Sequence, residues 1–188
     1  MSTTSQLRTE TTEPLGTATP PRFLPDQAQF RAAMRRPVST VAIVTAGARG
    51  ERAGVTITAA CSLSDSPPSV LICIHRDSAA LETIRKSGHF ALNFLSAKQT
   101  ELANLFAGRS ALRGDARFSD EDWELLESGA PVAKNALTVF DCILAEELPS
   151  PTHAILIGRV AGISASSEDP ALLYSNGSYQ ALVQEPAE

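Results

Sequence analysis

Two clusters of residues in this 188-residue chain have types and spacing suited to binding chemistry. The run GVTITAACS sets Thr56, Thr58, Ala59, Ala60 and Ser62 around Ile57, where strand character runs out into a loop. Small side chains there leave backbone amides open to a flat ligand. Further on, an apolar run ending at His75 delivers Arg76, Asp77 and Ser78 to the start of a helix. Free amides and the helix dipole favour a phosphate at such a point, and an adjacent guanidinium adds charge-assisted hydrogen bonds. A surface for a ring beside a helix start for a phosphate suits a mononucleotide. The same residues also suit ordinary packing and helix capping, and residue types alone leave both readings open.

Other chemistries lack their usual signals. The chain contains no G-x-S-x-G elbow, no H-E-x-x-H, no Walker loop and no G-x-G-x-x-G after a strand, which removes the support for hydrolase and dinucleotide-fold readings. Cys61, Cys73 and Cys142 lie in apolar segments without zinc or C-x-x-C spacing, and the three histidines are dispersed, so no metal is expected. Such cysteines ordinarily serve as small buried hydrophobes.

The elements that must position these clusters belong to an ordinary domain. The chain is 43% hydrophobic and only 5% aromatic, with 16 basic against 21 acidic side chains, a formal charge of −5. A chain of this length buries about 70% of its unfolded surface and needs no disulfides to hold a core. The acid excess and scattered Lys and Arg argue against nucleic acid. No apolar run approaches the ~18 residues of a membrane span. Residues 1–25, rich in Thr, Ser and Pro, read as a disordered tail rather than a secretory signal. The expectation is a cytoplasmic protein whose single domain occupies residues 26–188.

Within that domain, DQAQFRAAMRR reads as a helix with Asp26 at its N-cap, Phe30 and Met34 on one face, and a sheet for it to lie across. VSTVAIVTA (38–46) and GVTITAACSL read as a β-hairpin. Pro67 and Pro68 then interrupt sheet pairing, and SVLICIH (69–75) reads as a strand buried on both faces. RDSAALETIRKSG is a helix stopped by Gly88, and HFALNFL is a strand. SAKQTELANLFAG is a helix opened by Ser96 and Gln99 at capping-box spacing and stopped by Gly108. The polar stretch 109–131 is expected to hold at most a short helix around Trp123. Residues 136–148 and 153–165 form a second hairpin, and two tyrosines flank an Asn-Gly turn near the end. Strands in adjacent pairs argue for an antiparallel sheet closing as a barrel with helices outside it.

The run G-V-T-I-T-A-A-C-S-L-S-D-S-P-P-S-V-L-I-C-I-H-R-D-S resembles the signature of the short-chain flavin reductases, the reductase components of two-component flavin monooxygenases. That family includes the 4-hydroxyphenylacetate 3-monooxygenase reductase. The similarity continues through F-R-A-A-M, A-L-N-F-L-S-A-K-Q, L-F-A-G, R-F, V-F-D-C, T-H and the closing L-x-Y-x-x-x-x-Y, in order, from Phe30 to Leu182.

The resemblance implies a mainly β, antiparallel, FMN-binding split β-barrel with flanking helices, usually a homodimer, in which NADH or NADPH reduces FMN or FAD for a partner monooxygenase. Carried over by residue, Thr56, Ile57, Thr58, Ala59, Ala60 and Ser62 would line the flavin ring. His75, Arg76 and Ser78 would surround the ribityl and phosphate. Thr152 and His153 would hold the nicotinamide, with Phe118 and Tyr179 as further pocket wall. Two positions depart from the pattern: Pro151 replaces a usual glycine, and Ser178 replaces a basic residue before the last tyrosine. Hydride transfer between two cofactors needs positioning rather than a protein nucleophile, which accounts for the missing triad. A non-catalytic FMN carrier or sensor, and a relative of the pyridoxine-phosphate oxidases, remain alternatives on the same barrel.

Overall fold

The computed structural model describes residues 24–165 and 167–182. Of the tail expected over residues 1–25, only Leu24 and Pro25 lie among them. The described elements, in order, are α1 (Gln27–Met34), β1 (Ser39–Thr40), β2 (Ala42–Ala46), β3 (Ala53–Ile57), β4 (Ala60–Asp65), β5 (Pro68–His75), α2 (Ala79–Ser87) and β6 (His89–Phe94). They continue with α3 (Thr100–Phe106), β7 (Trp123–Leu125), β8 (Pro131–Ala133), β9 (Thr138–Pro149), β10 (His153–Ser164), β11 (Leu172–Ser175) and β12 (Ser178–Ala181). The strands pair antiparallel throughout.

Seven strands form the main sheet in the order β3-β2-β6-β9-β10-β5-β4. Its two edge strands, β3 and β4, are consecutive in the chain and joined only by Thr58 and Ala59. The sheet therefore curls until its edges meet, because so short a connection cannot span an open sheet. The run expected as one strand over GVTITAACSL is thus two strands at opposite edges.

Inside the barrel, alternate residues of each strand converge. Ala42, Val44, Val70, Ile72, Ile74, Phe90, Leu92, Cys142, Ala154 and Leu156 are buried together, and Leu81 and Ile84 of α2 plug the cluster. Helix α2 forms where expected: Ser78 Oγ accepts from Ala80 N (3.3 Å), and Gly88 ends it in the left-handed region at φ +74°. At Gly158 of β10, an added Cβ would lie 2.4 Å from Phe90 Cζ and 2.9 Å from Cys142 Cβ, so glycine there makes room for the Phe90 ring.

A second core lies on the outer side of β2, β6 and β9. It joins Ile43, Ala91 and Val139 to Phe106 of α3, Phe118, Trp123 of β7 and Val132 of β8.

Several expectations are corrected. Helix α1 carries the expected Asp26 capping box, with Gln29 N donating to Asp26 Oδ1 at 2.7 Å, but it buries none of its residues. Phe30 and Met34 are each 59% exposed, so α1 does not lie across the sheet. Pro68 begins β5 opposite Asp65 rather than ending pairing, since the first residue of a strand can spare its N–H. Strand β5 buries Val70, Ile72 and Ile74 on one face and leaves Leu71 and Cys73 half-buried on the other. The helix expected from Ser96 opens as a 3-10 turn, Ala97–Gln99, in which Ser96 N donates to Gln99 Oε1 (3.1 Å), before α3. Trp123 starts a strand, not a helix, pairing with Ala133.

Candidate active site

The crossover between the barrel edges carries the first cluster. Thr58 and Ala59 are exposed, Ala60 is half-buried, and Ser62 is exposed on β4. No side chain on residues 58–60 is larger than threonine, which leaves this backbone open to a flat ligand. Cys73 N donates to Ala59 O at 3.0 Å, which ties the crossover to β5 two residues before His75. Two members of the cluster are otherwise committed. Ile57 turns its buried side chain into the barrel core. Thr56 Oγ1 donates to Ala103 O at 2.7 Å and fastens β3 to α3. Both could meet a ligand through the backbone only.

The second cluster is assembled by register. Strand β10 pairs with β5 so that His153 lies opposite His75. Their rings stand edge to face, centroids 5.3 Å apart at 77°. Thr152 Oγ1 lies 2.8 Å from His153 Nδ1, and Arg76 N donates to Thr152 O at 3.1 Å. Asp77 N lies 3.3 Å from His75 Nδ1, which ties the ring to the turn before α2. The fold thus brings Thr152 and His153 to His75, Arg76 and Ser78, two segments far apart in sequence, at one end of a strand pair.

Charge at this end is distributed unequally. Arg85 of α2 holds Glu147 with two bonds, 2.5 and 3.0 Å, and this bond to Arg85 lowers the Glu147 pKa. Arg76 has no ion pair among the described residues and is exposed beside the start of α2. Although its charge also helps lower the Glu147 pKa, an exposed guanidinium next to helical amides is the donor set a phosphate requires.

A third group closes the other side of the crossover. A cavity of about 170 Å³ is lined by Val41, Thr56, Ile57, Thr58, Ala107, Arg109, Tyr174 and Tyr179. Tyr179 of β12 stacks edge to face on Tyr174 of β11, centroids 5.5 Å apart, and the Arg109 guanidinium lies 5.9 Å from the Tyr179 ring centre. Burial raises the Tyr179 phenol pKa, against a smaller lowering by Arg109. Sequence reasoning marked Tyr179 but missed Arg109 and Tyr174. Tyr174 entered only through the closing L-x-Y-x-x-x-x-Y motif and the tyrosine pair around Asn-Gly, with no role attached, and strand register sets it opposite Tyr179. Ser178, where a basic residue is usual, closes the turn by donating to Ser175 O (3.1 Å).

Phe118 is not part of either wall. It is 5% exposed and packs against Phe106 and Trp123, with ring centroids 5.0 and 4.9 Å away. Its place as a pocket wall is therefore corrected to a place in the outer core. Cavity size does not mark the site either. A larger hollow, about 700 Å³, is ringed by polar residues including Lys98, Asp122, Lys134 and Asp169, and none of the expected site residues lines it. Among the described residues no three His, Cys, Asp or Glu side chains converge as a metal site.

A small-residue crossover beside a histidine pair and a phosphate-type helix start, on an antiparallel barrel, defines a class of nucleotide-binding split-barrel proteins. Residues 34–183 match the family described as flavin reductase like domain, and the chain belongs to that family. It is 39% identical over 161 residues to an FMN reductase (NADH), RutF, of Methylorubrum extorquens, covering 86% of this chain and 79% of that one. Among solved structures it is similar to BorF, the flavin reductase component of a bacterial two-component tryptophan halogenase, with TM-score 0.79 and 28% identity, covering 85% of this chain and 100% of that one. It is also similar to an NADH:FAD oxidoreductase of Streptomyces globisporus in complex with NAD and FAD fragments. That likeness has TM-score 0.78 and 29% identity, and covers 86% of this chain and 96% of the other.

Proposed function

We propose that this protein is an NADH-dependent FMN reductase that supplies reduced flavin to a separate monooxygenase. The observation that carries the reading is the adjacency of the open crossover and the His75–His153 pair in a chain of this family. The residues present fit a flavin mononucleotide: small exposed side chains at 58–60 for the ring, and an unpaired Arg76 with the Ser78-capped start of α2 for the phosphate. FAD in place of FMN, and NADPH in place of NADH, would use the same contacts at the ring end.

When both nucleotides are bound they supply the chemistry, a hydride passing from nicotinamide to flavin. The chain's own work is positioning and exclusion. Thr58, Ala59 and Ala60 present a flat backbone surface, and Ser62 borders it. Arg76 and Ser78 hold the phosphate. His153, steadied by Thr152 and packed on His75, would hold the nicotinamide, while Tyr179 walls the far side of the crossover. No general base is required for hydride transfer between two nucleotides.

The working unit is residues 26–188, acting in the cytoplasm as a homodimer. The outward face of β5 and β10, with half-buried Leu71, Cys73, Ile155 and Ile157 beside exposed Leu148, is apolar enough to be covered by a second copy. Reduced flavin would reach the oxygenase by diffusion.

The test is steady-state NADH oxidation by purified protein. Turnover is expected only with added flavin, and His153→Ala is expected to raise the NADH KM roughly tenfold, the scale of one or two lost contacts, with the FMN KM nearly unchanged. An unaltered NADH KM would remove His153 from the nicotinamide site.

A further inference from the structure

We propose that Arg109, Tyr174 and Tyr179 form a subsite for the adenylate half of a dinucleotide. The inference rests on the flavin reductase reading and extends it to a part of the ligand that the reacting rings do not include.

Helix α3 ends at Phe106, and Gly108, in the left-handed region at φ +80°, turns the chain so that Arg109 is exposed above the cavity. The guanidinium is steadied by a neutral partner: Arg109 Nη1 donates to Asn104 Oδ1 at 3.1 Å. Arg49, Arg52 and Arg85 each meet a carboxylate, whereas Arg109 takes part in no ion pair among the described residues. Its charge is thus held in place and left uncompensated.

Under it lies an aromatic wall. The Tyr179 ring is half-buried and propped by Tyr174, a rigid face on which a heteroaromatic base can stack. Thr56 and Ile57 of β3 and Thr58 of the crossover line the same cavity, so it adjoins the proposed flavin site. Sites for whole drug-sized ligands run to roughly 300–1,000 Å³. At about 170 Å³ this cavity takes one ring system and no more. A base on tyrosine with a phosphate on arginine is the chemistry of an adenylate group. FMN has a single phosphate, for which Arg76 and Ser78 already account. NADH and FAD each bring a further phosphate joined to adenine.

The experiment compares the intact protein with Arg109→Met and Arg109→Lys. With FMN as acceptor, Arg109→Met is expected to raise the KM for NADH roughly tenfold, the scale of one charge-assisted hydrogen bond. The KM for reduced nicotinamide mononucleotide, which lacks the adenylate, stays as in the unsubstituted protein. Arg109→Lys falls between. If the adenylate comes from FAD, Arg109→Met raises the FAD KM and spares that of FMN. Equal changes for the nucleotides with and without adenylate, or no change for any, overturn the proposal. Calorimetric titration with AMP separates this outcome from failure of the functional reading. An unsubstituted protein that binds AMP but does not oxidise NADH loses the reductase function and keeps the subsite. AMP binding that Arg109→Met does not weaken removes the subsite.

Discussion

The two sides of β2 are held by different physics. Ala42, Val44 and Ala46 face the barrel interior, where Phe90, Leu92 and Cys142 meet them with apolar surface alone. Burial pushes the Cys142 thiol pKa up to about 12, so it behaves as one more hydrophobe. Ile43 and Thr45 face the outer layer, where buried polar groups sit among the apolar ones. Asn93 Nδ2 donates to Ile43 O (2.9 Å) and Thr45 Oγ1 (3.1 Å), while Asn93 Oδ1 accepts from Ala133 N (2.8 Å). Thr45 Oγ1 donates to Pro131 O, and Asp141 accepts from both the backbone N–H and the hydroxyl of Ser128.

The difference separates filling from addressing. Any well-shaped apolar set can fill a barrel, but the polar set admits residues 128–133 in one position only, because each misplaced group would be buried without a partner. The stretch so anchored is the return half of the long excursion that leaves the barrel at Arg109. Its outgoing half is tied at Asp115, which accepts from Arg52 Nε (2.7 Å), Arg52 Nη2 (3.1 Å) and the Gly50 amide (3.0 Å).

The comparison can be broken most severely from the inside. Gly158→Val puts new atoms where even a Cβ would be 2.4 Å from Phe90, and the expected loss is at or above the ~3 kcal/mol upper range of overpacking. Urea denaturation measures it, and Gly158→Ala combined with Phe90→Leu should recover much of the loss if volume alone is at issue. A milder pair sharpens the contrast. Leu92→Met, a volume-conserving change in the interior, is expected to cost less than about 1.5 kcal/mol. Asn93→Leu, its neighbour on the outer face, should cost about 1–3 kcal/mol by leaving the Ala133 amide unpaired. Equal midpoint shifts for the two would erase the distinction.

The smallest effect concerns acid. The Arg52 guanidinium, with the Gly50 and Arg52 amides, holds the Asp115 carboxyl down at about 2, below the ordinary aspartate value of about 3.9. A carboxyl depressed in the folded state contributes stability that is fully present above its unfolded pKa and is lost as pH falls through the folded value. Wild type should therefore lead Asp115→Asn in melting temperature at neutral pH and lose that lead between about pH 4 and pH 2. The pair is partly exposed, so the lead corresponds to no more than about 1 kcal/mol. A lead that persists unchanged at pH 2 would show that the ion pair is not its source.

Much of the barrel was legible because strand patterning is local. Strands β9 and β10 lie within a residue or two of their expected bounds, and α2 with its Ser78 cap and Gly88 stop forms as read. The outer layer was less legible. Trp123 lies among charged residues with no alternation to mark a three-residue strand, and its pairing with β8 is a matter of docking. Within the site, Thr58, Ala59, His75, Arg76 and His153 stood out by residue type and by resemblance. Arg109 did not, since an arginine after a helix has no distinguishing pattern, and Tyr174 appeared only as part of the closing L-x-Y-x-x-x-x-Y motif, with no role attached to it. Phe118 looked available for a pocket, and only its packing against Phe106 and Trp123 removes it.

The sequence by itself determined the antiparallel β character and the caps and stops of its helices, and it marked His75, Arg76 and His153 as candidates for a nucleotide site. These rest on local periodicity, capping chemistry and ordered motifs, which do not depend on distant partners. Only the tertiary structure decided that GVTITAACSL divides between the two edges of one sheet, that His75 and His153 face each other, and that Arg109 stands over Tyr179 beside the same crossover. Those juxtapositions depend on barrel closure and strand register. Both are set by which apolar faces can be buried together, a property of the whole chain that no short stretch of it contains.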